Sequence, residues 1–92
     1  MLISKSTNQE SIMHELGILL HAFKTVSSIA EKNSITRIKH ITLEVGEESG
    51  VVPDYMNRLF PVATDSYPIF KESELRLITV PGAGLSIKEI GY

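Results

Sequence analysis

The chain has 92 residues, 42% hydrophobic and 22% charged, which is typical of one soluble globular domain and not of a disordered chain. The net charge of −2 and the absence of a basic stripe give no support to nucleic-acid binding. The lack of cysteine excludes disulfides, thiolate zinc sites and cysteine nucleophiles. No run reaches the roughly 20 apolar residues of a membrane span, and the start lacks the apolar core of a secretory signal, so the cytoplasm is the expected location.

The chain begins with a polar segment, residues 1–11, which we interpret as an N-terminal extension; residues 12–92 are interpreted as a single domain. From Ile12 onward, apolar residues recur in steps of three and four, which predicts an amphipathic helix ending near Asn33. The predicted apolar stripe contains Ile12, Leu16, Leu19, Phe23, Val26 and Ala30, and is widened by Met13, Leu20 and Ile29. Within the extension, residues 7–10 have the S/T-x-x-E form of a capping box, which would start the helix before Met13.

A half-buried strand is predicted next, because apolar and polar residues alternate along "HITLEV". One face carries Ile41, Leu43 and Val45, and the other carries His40, Thr42 and Glu44. After a glycine-containing loop, Pro53 suits the first position of a second helix, and Pro61 predicts a kink or an early end to it. The side chains expected to point inward from this helix are Tyr55, Met56, Leu59 and Phe60.

Two further strands are predicted, "SELRLITV" and "LSIKEIGY". Pro81 and Gly82 between them fit the central positions of a type II turn, which predicts a hairpin. The expected fold is α+β, a three-stranded mixed sheet with two helices on one face, in the order helix–strand–helix–strand–strand. The strand–helix–strand unit should cross over right-handed. The exposed sheet face, taken to include Ile38, is compatible with edge pairing or a homodimer.

His14 is the sharpest candidate for a functional residue, because imidazole is a good ligand for nickel, copper or zinc. A single histidine beside Glu15 is more commonly a helix surface position, and the second histidine of the H-E-x-x-H zinc motif is missing, which rules out a metalloprotease. His21 lies on nearly the same helix face, but a rise of ~10 Å keeps it from sharing an ion with His14. We interpret His21 and His40 as ordinary surface or edge residues.

Carboxylates also cluster around the loop before the second helix, at Glu47, Glu48 and Asp54. They could bind a hard cation, but such residues more often solvate a loop and favour the positive end of the following helix. No set of nucleophile, base and acid and no phosphate-binding loop is present. The sequence therefore makes no positive case for an enzyme. The only support for a small hydrolase is a set of scattered carboxylates and histidines.

The order and spacing of these segments resemble a known family. "MHELGILLHAFKTVSSIAEKN", "IKHITLEVGEESGVVPDYMNRLF", "SELRLITVPG" and "LSIKEI" together resemble the hydrogenase-maturation nickel chaperones, the HypA/HybF family, from residue 13 to about residue 90. The specific parts are the "MHE" opening and "LEVGEESGVVP". The resemblance implies a protein that binds Ni(II) transiently and passes it, with a maturation GTPase, to the hydrogenase large subunit, or by a related route to urease.

The resemblance also implies a metal site at the chain start, formed by the amine of the first methionine, the neighbouring backbone amides and the histidine imidazole. Carried over, Met13 supplies backbone nitrogen, His14 the imidazole, and Glu15 a modulating or partner-contacting carboxylate. Ni(II) favours square-planar nitrogen sites, which a flexible chain start can form.

Two features depart from the family pattern. Met13 is not the first residue here, so its nitrogen is an amide, and using it would require local unwinding of a helix. Either Met13 is the biological start, or the extended chain binds metal differently or not at all. In addition, the family's zinc domain, with two Cys-x-x-Cys pairs between the last two strands, is replaced by the Pro81–Gly82 turn, so no zinc is expected.

Two hypotheses follow. The first is a nickel-binding maturation accessory reduced to its nickel domain. The second is a metal-free interaction module that keeps only the fold and the partner surface. Nickel titration of chains beginning at Met1 and at Met13 separates them.

Overall fold

The computed structural model describes the backbone of residues 2–92 and the side chains from residue 14 onward. Two α-helices and three strands follow one another in the predicted order, which confirms the α+β fold and the element order. The elements are α1 Leu2–Lys32, β1 His40–Gly46, α2 Pro53–Thr64, a 3₁₀ helix Pro68–Phe70, β2 Glu74–Val80 and β3 Leu85–Gly91. Across the described residues, neither helix has the length and apolar character needed to cross a membrane.

The three strands form one mixed sheet in the order β2–β1–β3. Strand β1 pairs in parallel with β2 and antiparallel with β3. The mixed sheet is therefore confirmed, but the predicted direct pairing of the last two strands is wrong, because β1 lies between them. Strand β3 is thus the antiparallel neighbour of β1 and not of β2.

The connection between β2 and β3, which we call the arch (residues 81–84), explains this arrangement. It reverses the chain as the Pro-Gly sequence predicts, and Gly82 has a φ of +96°. However, it spans the end of β1 instead of closing a two-stranded turn. The amide of Gly46 donates to the carbonyl of Gly84 at 2.7 Å, and that of Glu48 donates to Gly82 at 2.8 Å. These bonds place the end of β1 beneath the arch.

Gly46 leaves no room for a side chain under the arch, so its replacement is expected to destabilise the fold. A Cβ at Gly46 would lie 2.7 Å from the carbonyl oxygen of Gly84 and would also meet that of Gly82. We expect Gly46→Ala to lower the free energy of unfolding by about 1–3 kcal/mol, measured by urea denaturation. Gly84→Ala is the matched control, since nothing lies within 4 Å of its Cβ position, and should change stability by less than about 0.5 kcal/mol. Equal effects of both substitutions would refute this account of the arch.

The core forms between the helices and one face of the sheet. The predicted stripe of α1 is confirmed from Leu19 to Ala30, whereas the side chain of Ile12 lies outside the described residues. Ile29 is 48% exposed, so the stripe is narrower than predicted. The buried cluster comprises Leu19, Ala22, Phe23, Val26, Ile38, Ile41, Leu43, Met56, Ala63 and Phe70.

Ile38 was predicted on the exposed sheet face, and that prediction is wrong. Its side chain is fully buried, and its amide donates to the carbonyl of Ile69 at 2.9 Å, before β1 begins at His40. Ile38 therefore packs into the core from the segment before β1 instead of extending the strand. Ile38 is therefore not available on the surface to support the predicted homodimer.

The helix ends differ in detail from the predictions. Ser34, instead of Asn33, adopts the left-handed conformation after α1, with a φ of +57°. The side-chain amide of Asn33 donates to the backbone carbonyl of Ile29 at 2.8 Å. Pro53 begins α2 as predicted. The early end predicted at Pro61 is wrong, because α2 continues to Thr64. The helix continues because a proline this close to its end removes only one backbone hydrogen-bond donor. The buried side chain of Ala63 also packs the last turn of α2 against the core.

Candidate functional site

His14 and Glu15 are adjacent on α1 but differ in their exposure to solvent. Successive helical residues are rotated by about 100°, so neighbours can face solvent and core respectively. The His14 side chain is 56% exposed, whereas Glu15 is fully buried. The imidazole is therefore accessible to a metal ion, and the carboxylate belongs to the interior. The burial of Glu15 fits a modulating role beside His14, and a partner-contacting role stays a prediction.

The buried carboxylate of Glu15 joins α1 to the start of α2. Its Oε2 accepts a hydrogen bond of 2.6 Å from the amide of Val52, the residue before Pro53. A carboxylate at this position also faces the positive end of the α2 dipole, which favours negative charge. Val52 is the N-cap of α2, and Glu15 supplies from a distance the acceptor for its amide that the third helical residue supplies in a capping box.

Among the side chains that the structure describes, the other oxygen of the same carboxylate has no hydrogen-bond partner. Glu15 Oε1 is buried and lies 3.9 Å from Nδ1 of His14, beyond hydrogen-bond length. An unpartnered buried carboxylate oxygen is uncommon and energetically unfavourable.

The backbone at Met13 lies inside α1, which begins at Leu2, ahead of the capping-box sequence at residues 7–10. Amides within an α-helix donate to the carbonyl four residues earlier. The nitrogens of Met13 and His14 are therefore engaged in helical hydrogen bonding in this conformation. The side chain of Met13 lies outside the described residues.

A groove between α1 and β3, with a volume of about 540 Å³, runs beside His14. His21 lines the same groove, which confirms that the two histidines share a helix face. The groove is lined by His14, Gly17, Ile18, His21, Ala22, Thr25, Leu85, Ser86 and Ile87. His14 is thus accessible from an open cleft with mostly apolar walls.

The other candidate ligands do not converge on a site. His40 is paired across the sheet with Gly91, and its imidazole occupies the space that a Cβ at Gly91 would need. Asp54 is exposed and forms an ion pair of 3.2 Å with Arg58, four residues on. Glu47 and Glu48 are exposed in the loop. Among the side chains that the structure describes, no three His, Cys, Asp or Glu residues are grouped as a metal site.

The contact between Glu15 and Val52 was not predicted from the sequence, although the sequence did indicate that Glu15 is buried. Glu15 precedes Leu19 by four residues and so stands on the apolar stripe of α1. A charged residue on such a stripe indicates a buried carboxylate. Its partner could not be identified, because it is a backbone amide 37 residues away.

Comparisons with known proteins agree on one family. The family model described as "Hydrogenase/urease nickel incorporation, metallochaperone, hypA" matches residues 13–85. The chain is similar to proteins named hydrogenase maturation factor HypA. It is 35% identical over 69 residues to that of Methanosarcina barkeri, covering 75% of this chain and 51% of the relative. It is 36% identical over 72 residues to that of Trichodesmium erythraeum, covering 78% and 60%.

A third relative, from Dechloromonas aromatica, is 33% identical over 72 residues, covering 78% of this chain and 63% of its own length. The chain thus spans between about half and two thirds of the length of these relatives. Comparison with solved structures finds no match.

Proposed function

Because the chain belongs to the hydrogenase/urease nickel-incorporation metallochaperone family, we propose that it binds Ni(II) at the MHE segment, through His14 and the backbone nitrogens at Met13 and His14. Members of such a family carry a metal ion to an enzyme under maturation, and they are not themselves catalysts. Zinc has no role in the proposal, since the chain has no thiolate to bind it.

The observation that supports this site is the pairing of an exposed imidazole with a buried carboxylate that has one free oxygen. An imidazole that binds an ion together with the backbone nitrogen of its own residue does so through Nδ1, and the nearby carboxylate of Glu15 provides an electrostatic environment that favours a cation. His21 has no comparable neighbour among the described hydrogen bonds and ion pairs.

Backbone coordination requires the helix to open around Met13. The amides there are engaged in helical bonds, and a chelate that uses them must release at least one turn of α1. Ni(II) accepts planar nitrogen ligand sets, so the gain from coordination offsets the loss of these bonds. We propose that nickel binding and local unwinding of α1 occur together.

Delivery of the metal is the second part of the proposal. The family description concerns nickel incorporation into hydrogenase and urease, so we propose the enzyme large subunit as recipient and a maturation GTPase as co-worker. The exposed position of His14 supports transfer, because a ligand on the surface can be approached by a second protein.

Nickel titration of three chains tests the site. We expect the 92-residue chain to bind one Ni(II), His14→Ala to weaken binding by at least about 100-fold, and His21→Ala to leave it within about threefold, since each factor of ten corresponds to about 1.4 kcal/mol. His21 is the matched control because it is an exposed histidine in the same groove. Equal losses in both variants, or no binding by the parent chain, would favour the metal-free interaction module instead.

A further inference from the structure

The loop between β1 and α2, residues 47–52, is attached to the rest of the fold at both ends. At its start the amide of Glu47 donates to the carbonyl of Val80 at 2.8 Å, beneath the arch. At its end the amide of Val52 donates to Glu15 Oε2 at 2.6 Å. The first attachment belongs to the backbone of the sheet, whereas the second depends on one side chain from α1.

That single side chain is the immediate neighbour of the proposed nickel ligand. Glu15 follows His14 directly and is fully buried, so its carboxylate is held in place by the geometry of the helix around it. Among the described residues its second oxygen lacks a hydrogen-bond partner, so Val52 is the one hydrogen-bond partner of the carboxylate there. Because Glu15 is the next residue, any movement of the backbone at residue 14 also moves its carboxylate.

We propose that Glu15 is a positioning residue that couples nickel binding at His14 to the attachment of the loop 47–52. This inference rests on the proposed function. Opening α1 to release the nitrogens of Met13 and His14 displaces the backbone of Glu15. The carboxylate then withdraws from Val52, and the loop loses its attachment to α1 while its attachment beneath the arch remains.

The consequence is a change on an exposed surface when the metal is bound. Glu47 and Glu48 are exposed in this loop, and Val52 is 37% exposed. The first turn of α2 is affected too, because the amides of Tyr55 and Met56 donate to the carbonyl of Val52, at 3.0 and 3.2 Å. A partner that contacts the loop would thus meet different surfaces in the nickel-free and nickel-bound states.

Amide hydrogen exchange, followed by NMR on the 92-residue chain, tests the coupling. Saturating Ni(II) should raise the exchange rate of the Val52 amide at least tenfold, while the Gly46 amide, bonded to Gly84 under the arch, should be unchanged. The rise should be absent in His14→Ala and present in His21→Ala. Without metal, Glu15→Ala should already exchange fast at Val52, whereas Glu15→Gln, which keeps an acceptor oxygen, should exchange slowly.

An unchanged Val52 exchange rate in a chain saturated with nickel would overturn the coupling and leave the proposed function standing. Nickel occupancy is read separately, by titration under the same conditions. A chain that takes up no nickel would overturn the proposed function and this inference with it.

Discussion

A chain beginning at Met13 is expected to bind Ni(II) at least about 100-fold more tightly than the 92-residue chain, a difference of about 2.7 kcal/mol. In the longer chain the Met13 nitrogen is an amide within α1, and binding must first break helical hydrogen bonds. In the shorter chain the same nitrogen is a free amine, and the first turn of a helix leaves its amides without helical acceptors. Competition titration with a chromophoric chelator measures the two affinities.

The control for this experiment is the same shorter chain with its Met13 amine acetylated. Acetylation removes the amine as a ligand while it keeps the chain short, so most of the gain should disappear. If the two unmodified chains bind nickel equally, the state of the Met13 nitrogen does not govern affinity, and coordination at this position is contradicted.

Replacing Phe23 by alanine is expected to cost about 3–5 kcal/mol of folding free energy, out of a total stability of roughly 5–15 kcal/mol for a domain. Phe23 is fully buried and stacks on Phe70, with ring centroids 4.1 Å apart and an interplanar angle of 9°. It also meets Phe60 and Tyr67 edge to face, at 5.5 and 6.0 Å. The substitution therefore removes the ring that joins α1, α2 and the 3₁₀ helix.

Urea denaturation followed by circular dichroism measures this loss, with Ile29→Ala as the control on the same helix. Ile29 is 48% exposed, so its truncation should cost less than about 1 kcal/mol. A loss below about 1.5 kcal/mol for Phe23→Ala would show that the aromatic cluster is not the centre of the core.

The element order was predictable because each element has a clear local signal. The steps of three and four in α1, the alternation in β1 and the proline at the start of α2 are all set by residues close in sequence. The strand order was not predictable in the same way. A Pro-Gly pair indicates a reversal of the chain, but whether a third strand lies beneath that reversal depends on long-range bonds, here from Gly46 to Gly84.

The candidate site shows the same division between local and long-range information. His14 could be proposed from its residue type, and its exposure agrees with that proposal. The position of Glu15 on the apolar stripe could be read from the sequence. Its role as a hydrogen-bond acceptor could not, because its donor is the backbone amide of Val52, which every residue type except proline has. Ile38 was misplaced because alternation alone does not mark where a strand begins, and β1 begins two residues later.

The most direct test of nickel coordination at the MHE segment is a ¹H–¹⁵N NMR spectrum of the 92-residue chain at full nickel occupancy. A square-planar Ni(II) site is diamagnetic, so the rest of the spectrum should stay sharp. Coordination by backbone nitrogen replaces the amide proton, so the cross-peaks of Met13 and His14 should disappear. Retention of both amide protons while nickel is bound would contradict the account.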